Sequence, residues 1–126
     1  MKDLMIAGKN KIPFVNENLK MQEALKILRQ KNLGFIIARN SKKITTGILT
    51  DGDLKRKIKK NQKLHNLLVK KVMTPSPVSI GQDMLASKAL SIMQTKKITA
   101  LCVNSNKSKY KTAGVLHIHN ILEANI

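Results

Sequence analysis

The chain repeats itself. Ala24-Leu25-Lys26-Ile27-Leu28-Arg29-Gln30-Lys31 runs into Asn32-Leu33-Gly34 and the apolar stretch Phe35 to Ala38. Sixty-five residues on, Ala89-Leu90-Ser91-Ile92-Met93-Gln94-Thr95-Lys96 runs through Lys97-Ile98-Thr99 into Ala100 to Val103. Further along, Gly47-Ile48-Leu49 answers Gly114-Val115-Leu116 at an offset of 67, so the second hairpin is two residues longer. Upstream, Leu4-Met5 answers Val72-Met73. Two copies of one supersecondary unit therefore fill the chain. Neither copy has enough residues to cover both faces of its own sheet. Two related copies can pack sheet to sheet about a pseudo-twofold axis and share a core, which leaves symmetric clefts between them.

Each copy parses locally. Pro13-Phe14-Val15 reads as a short strand, because proline is tolerated at a strand's start. Met21, Ala24, Leu25 and Leu28 recur at helical spacing with Gln22, Lys26 and Arg29 outside, so an amphipathic helix follows. Gly34 ends that region, and Phe35 to Ala38 reads as a buried strand. Asn40-Ser41-Lys42-Lys43 is a polar turn, and Ile44 to Leu49 returns as the next strand. Asp51 to Ile58 is a helix with Leu54 and Ile58 inward. The order is β-α-β-β-α. The second copy follows with Val78 to Ile80, Met84 to Thr95, Ala100 to Val103, Tyr110 to Leu116 and Ile118 to Ala124. The predicted organisation is one repeat over residues 1–60, a linker over 61–71 with a helical turn at Leu64 to Leu68, and a second repeat over 72–126. The fold class is α+β.

Charge narrows the function. The chain has 126 residues, with 24 Lys and Arg against 7 Asp and Glu, a net charge of +17. Such a charge invites a nucleic-acid reading. Arginine forks and stacking aromatics usually carry such contacts. Here the arginines are Arg29, Arg39 and Arg56, and the aromatics are Phe14, Phe35 and Tyr110. The lysines are scattered rather than gathered in a tail, and Lys, Asn and Ile are abundant together. That composition disfavours nucleic acid, which stays as the rival reading. No apolar run is long enough to span a bilayer. The first residues contain no secretory apolar stretch. A single cysteine, Cys102, excludes an intramolecular disulfide and CxxC zinc sites. Together these features point to the cytoplasm.

Several motifs now carry a resemblance. The Val72-Met73-Thr74-Pro75 entry and the Gly47-Ile48-Leu49-Thr50-Asp51-Gly52-Asp53 turn mark a tandem unit that resembles a CBS-domain pair, or Bateman module. The blocks Lys31-Asn32-Leu33-Gly34, Thr50 to Arg56, Val72 to Pro75, Met93-Gln94 through Ile98-Thr99, and Gly114 to Asn120 occur in this order in one family. The chain is similar to the C-terminal half of the bacterial arabinose-5-phosphate isomerases, over essentially all its residues. Those enzymes make the sugar phosphate that leads to Kdo, for lipopolysaccharide or capsule. Their N-terminal sugar isomerase (SIS) domain holds the chemistry, and nothing here corresponds to it. The start beside Leu4-Met5 favours a regulatory piece of a longer protein over a stand-alone relative. The resemblance implies tandem CBS domains, an effector such as an adenine nucleotide or CMP-Kdo, and a homodimer formed through the CBS helices. In the full-length protein it implies a tetramer and a SIS partner domain.

The candidate site lies where strand meets helix. A helix N-terminus presents free N–H groups and a positive dipole end to a phosphate. Thr50 could donate its hydroxyl there, and Asp53, one turn on, could accept from ribose hydroxyls. CBS modules resembling this one use the two residues in those roles. The structural reading of the same pair is a capping box, with Thr50 over the helix and Asp53 reaching back. Lys55 and Arg56 read better as a solvated face than as phosphate contacts. The second copy offers His117 and Asn120. Asn120 suits a sugar hydroxyl, whereas His117 departs from the Thr/Ser pattern. His117, His119 and Glu123 invite a metal reading, which the strand-to-helix turn and the absence of a cysteine disfavour. In the full-length enzyme the resemblance lets His117 or His119 face the sugar-phosphate site. Cys102, between Leu101 and Val103, reads as core, and His65 as exposed. No paired carboxylates, Ser-His-Asp order or glycine-rich loop stands out, so the chain by itself reads as a regulatory module and not an enzyme. A third reading is a structural dimerisation module with empty clefts. Ile58, Ile121 and Leu122 exceed what one core needs and are expected at the dimer contact.

Overall fold

The structure is a computed structural model that describes residues 5–7, 11–60, 63–105 and 108–123. Contacts divide it into two compact units, Pro13–Pro77 and Met1–Ile12 with Val78–Ile126. Each copy forms the expected β-α-β-β-α run, preceded by a two-residue strand.

In the Pro13–Pro77 unit, strand β2 (Phe14–Asn16) leads to α1 (Met21–Lys31), β3 (Phe35–Arg39), β4 (Thr45–Thr50) and α2 (Asp51–Lys60). A 3-10 turn (Leu64–Asn66), α3 (Val69–Val72) and β5 (Thr74–Pro75) complete it. The sheet order is β2-β3-β4-β5. β2 runs parallel to β3 across the α1 crossover, with Phe14 opposite Ile37, and β3 and β4 form an antiparallel hairpin. Asn40 holds the hairpin turn, because its Oδ1 accepts from the Lys42 and Ile44 N–H groups at 2.9 and 3.1 Å. The α1 stripe is buried as its spacing predicts, with Met21, Ala24, Leu25 and Leu28 inward. They pack with Ile36, Ala38 and Leu49 from one face of the sheet.

The other unit repeats this plan. Here β6 (Ser79–Ile80), α4 (Ala86–Lys96), β7 (Ala100–Ser105), β8 (Ser108–His117) and α5 (Ile118–Glu123) follow in order. Ala124, the expected end of α5, lies outside the described residues. β6 runs parallel to β7, and β7 pairs antiparallel with β8. Ile80, Ala89, Met93, Leu101, Val103, Leu116 and Ile121 form its core. The repeat extends to backbone detail. Asn32 and Lys97, 65 residues apart, both cap their helices in the left-handed region, with φ 52° and 56°.

The short leading strands pair reciprocally. β5, just before the second copy, adds to the first copy's sheet, with Gly47 opposite Pro75. β1 (Ile6–Ala7), just before the first copy, adds to the second copy's sheet, with Ala7 opposite Gly114. Met73 and Met5 follow the same exchange, each packing against the core of the sheet its strand joins.

The segment 61–71 does more than connect. Its Leu64 and Val69, with Val72 just beyond it, are buried in the first unit's core. Backbone bonds from Met21 to Leu67, Val69 to Leu19 and Lys70 to Glu17, at 2.8, 2.8 and 2.9 Å, lace it to the start of α1. Residues 61 and 62 lie outside the described set. Two expectations about helix faces are corrected. Leu54 is buried, but Ile58, one turn further along α2, is 44% exposed. Ile121 is fully buried against its own core, leaving Leu122, 54% exposed, as the outward large apolar residue of α5. On a six-residue helix only one face can meet the sheet, and Ile121 takes it.

Candidate functional site

The site begins with Gly47. A methyl group there would lie 2.6 Å from Met73 Cγ and 3.0 Å from the Thr74 carbonyl oxygen, so a side chain would not fit between β4 and the segment entering β5. A bare strand position lets a neighbouring backbone approach closely. The strand then runs through Ile48 and Leu49 to Thr50, and the helix starts at Asp51. The Asp51 N–H donates to the Gly34 carbonyl at 3.0 Å, and its counterpart Ile118 donates to Thr99 at 2.7 Å. Both helix starts are thereby tied to the residue that precedes their neighbouring strand.

Thr50 caps α2. Its Oγ1 accepts from the Asp53 N–H at 3.2 Å. This is one half of a capping box. Asp53 is partly buried, and its carboxylate accepts from the Arg56 guanidinium. The structure therefore forms the Thr50 half of the expected capping box, while the Asp53 carboxylate, expected to reach back, accepts from Arg56, whose side chain is 71% exposed on the solvated face its position predicts. The i,i+3 spacing of an acid and an arginine was the available signal.

The second turn is built from the complementary half. Asn120 Oδ1 accepts from the His117 N–H at 3.0 Å, and His117 Nδ1 accepts from the His119 N–H at 3.2 Å. The two imidazoles stack with centroids 4.8 Å apart and planes 15° from parallel. So Asn120 is committed to its helix start. His117 turns its Nδ1 toward the His119 backbone N–H. Among the described residues no group of three His, Cys, Asp or Glu side chains could hold a metal ion.

Other candidates fall elsewhere. His65 is exposed as expected. Cys102 is fully buried in β7, and burial pushes its thiol from 9.0 up to about 11, against a smaller lowering from a hydrogen bond with Thr112. It is core, not a nucleophile. A cavity of about 390 Å³ lies between α1, α2 and the 3-10 turn, lined by Leu25, Leu28, Leu54 and Ile58 with Arg29, Asp51 and His65 among its polar groups. Neither Thr50 nor Asp53 lines it. Exposed cations are spread over several elements, with Lys26 and Arg29 on α1, Lys42 in the hairpin, Lys70 on α3, Lys88 on α4 and Lys111 on β8. No helix among the described residues is long and apolar enough to cross a membrane.

Two β-α-β-β-α copies, each with a strand-to-helix turn after a buried glycine, define the class. The CBS-domain family model matches residues 1–60 and 69–126, and the chain belongs to that family as a tandem pair. Its sequence is 34% identical over 124 residues to the arabinose 5-phosphate isomerase KdsD of Salmonella typhi, and 33% identical to that of Escherichia coli K12. Each match covers 98% of this chain and 37% of the relative, so the chain spans little more than a third of those proteins. An uncharacterized protein of Rickettsia prowazekii is 30% identical over 126 residues, all of this chain and 38% of that protein. Among solved structures, a CBS-domain protein of Agrobacterium tumefaciens superposes with a TM-score of 0.82 at 20% identity, over 91% of this chain and 84% of that one. CBSX2 in complex with AMP gives 0.81 at 23% identity, over 98% and 92%. A CBS pair in complex with 5′-methylthioadenosine and S-adenosyl-L-methionine gives 0.80 at 19% identity, over 95% and 91%.

Proposed function

We propose that the chain is the effector-sensing module of an arabinose-5-phosphate isomerase, and that its effector is an adenine nucleotide held at the Thr50–Asp53 turn. The observation that carries this is the turn itself. A hydroxyl caps a ten-residue helix, and a carboxylate stands one turn on. The identity to KdsD proteins across 98% of the chain supports the pathway, and the AMP and S-adenosyl-L-methionine complexes of structural neighbours support the ligand class. In this reading the module is joined to a SIS catalytic domain, works in the cytoplasm and serves Kdo supply for lipopolysaccharide or capsule. It pairs with a second copy through its helices, where Ile58 and Leu122 stay exposed. The effector regulates by binding one arrangement of the module better than another. The His117–Asn120 turn is the weaker nucleotide site, since Asn120 is spent on the cap. His117 and His119 are the groups that would face the sugar-phosphate site in the full-length protein.

Calorimetry with AMP tests the assignment, with CMP-Kdo as the comparison ligand. Asp53→Ala should weaken AMP binding by about 1.5–3 kcal/mol, the worth of a charge-assisted hydrogen bond. Asn120→Ala should cost under about 1 kcal/mol, less than a hydrogen bond to a charged group. A larger loss for Asn120→Ala would move the site to the second turn. Tighter binding of CMP-Kdo than AMP would replace the ligand.

A further inference from the structure

The Thr50–Asp53 turn carries a charged group that the reading above leaves unused. The Arg56 guanidinium donates to Asp53 Oδ1. The Asp53 side chain is 21% exposed and that of Arg56 is 71% exposed. A carboxylate suited to a ribose diol is thus covered by a long, solvent-facing cation. Gly52 shows where that cation reaches. A methyl on Gly52 would lie 3.6 Å from Arg56 Nη1 and 4.0 Å from Thr50 Oγ1. Guanidinium and hydroxyl therefore approach the same bare stretch of backbone. The second copy sets the contrast. Residues 67 positions on replace Thr50, Asp53 and Arg56 with His117, Asn120 and Glu123, so the cation becomes an anion there.

We infer that Arg56 is the residue that makes this site select 5′-phosphorylated nucleosides. In the empty turn it pairs with Asp53. When a nucleotide enters, the guanidinium moves to the phosphate, and the freed carboxylate accepts from the ribose hydroxyls. The inference rests on the nucleotide reading of this turn. The exchange costs little, because an exposed ion pair adds little to stability. It gains a fork that matches phosphate oxygens two at a time. Lys57 cannot take the part, since its ammonium is committed to the Val72 carbonyl.

The test compares AMP with adenosine by calorimetry on the 126-residue chain. Arg56 is exposed and outside the core, so its variants should fold, and a melting curve for each confirms it. Wild type should prefer AMP over adenosine. Arg56→Ala should weaken AMP on the order of ten- to a hundred-fold while adenosine binds as well as before or better, and Arg56→Lys should fall between. Unchanged AMP affinity in Arg56→Ala would overturn the inference, as would equal losses for AMP and adenosine. Asp53→Ala separates the two layers. If it weakens both ligands while Arg56→Ala changes neither, the site stands and the role of Arg56 falls. If wild type binds neither ligand, both fall.

Discussion

Gly47→Ala should destabilise the first unit, and the reason is geometric. Gly47 is buried in β4 and paired with Pro75. The new Cβ would stand 2.6 Å from Met73 Cγ and 3.0 Å from the Thr74 carbonyl. Met73 is packed against the α1 core and cannot simply swing aside, while Thr74 is held opposite Ile48 by the β4–β5 pairing. Forcing a methyl into such a contact costs about 1–3 kcal/mol. Unfolding entropy of about 2.1 cal/mol/K per residue converts this to a loss of about 4–11 °C in melting temperature for a chain of this size. Gly81→Ala is the internal control, since nothing lies within 4 Å of its added Cβ. That variant should melt at or slightly above wild type, because alanine lowers the entropy of the unfolded chain. Adding Met73→Ala to Gly47→Ala should cost less than the sum of the single changes, by about 1 kcal/mol or more, because the clash has lost its partner. Calorimetric melting of the four variants decides. If Gly47→Ala melts with Gly81→Ala, the close approach of β4 and the Met73–Thr74 segment is not what the glycine serves.

Three further outcomes follow from the same geometry. Thr50→Ala should cost about 1 kcal/mol by loss of the helix cap, with Thr50→Ser restoring most of it, as read from melting curves. Cys102 should resist iodoacetamide at pH 8 in the folded protein and react once urea unfolds it. Its raised pKa favours the neutral thiol on folding, so its share of stability is complete below about pH 9 and is lost as pH rises toward 11. That share amounts to about 2–3 kcal/mol, and Cys102→Ala should flatten that part of the stability curve relative to wild type. Light scattering at micromolar concentration should report a dimer, and Ile58→Lys with Leu122→Lys should shift it to monomer. A monomeric wild type would refute the helix-mediated pairing.

Much of the fold was legible because the repeat and the 3.6-residue stripes are long signals. Met21, Ala24, Leu25 and Leu28 set the α1 face unaided, and the apolar run Phe35 to Ala38 announced a buried strand. Thr50 and Asp53 were legible as a pair because their spacing is a property of one helical turn. Arg56 was legible as solvent-exposed, but that it also pairs with Asp53 depended on side-chain placement. The face of α5 was not legible either. Ile121 and Leu122 are adjacent, equally apolar, and sit on a helix too short to show a period.

By itself the sequence determined two copies of one β-α-β-β-α unit, their helices and strands, and a hydroxyl and a carboxylate at the first strand-to-helix turn. These are local facts, carried by periodicity and by spacing within one turn. Only the tertiary structure decided that β1 and β5 each join the other copy's sheet, and that Leu64 and Val69 of the presumed linker are core. It also decided that the two turns divide a capping box between them. Two-residue strands carry no period, and which half of a capping box forms depends on side-chain placement at the turn. Packing sets the first outcome, as with Met73 beside the bare backbone of Gly47, while Arg56 and Asp53, one turn apart on α2, meet through side-chain placement.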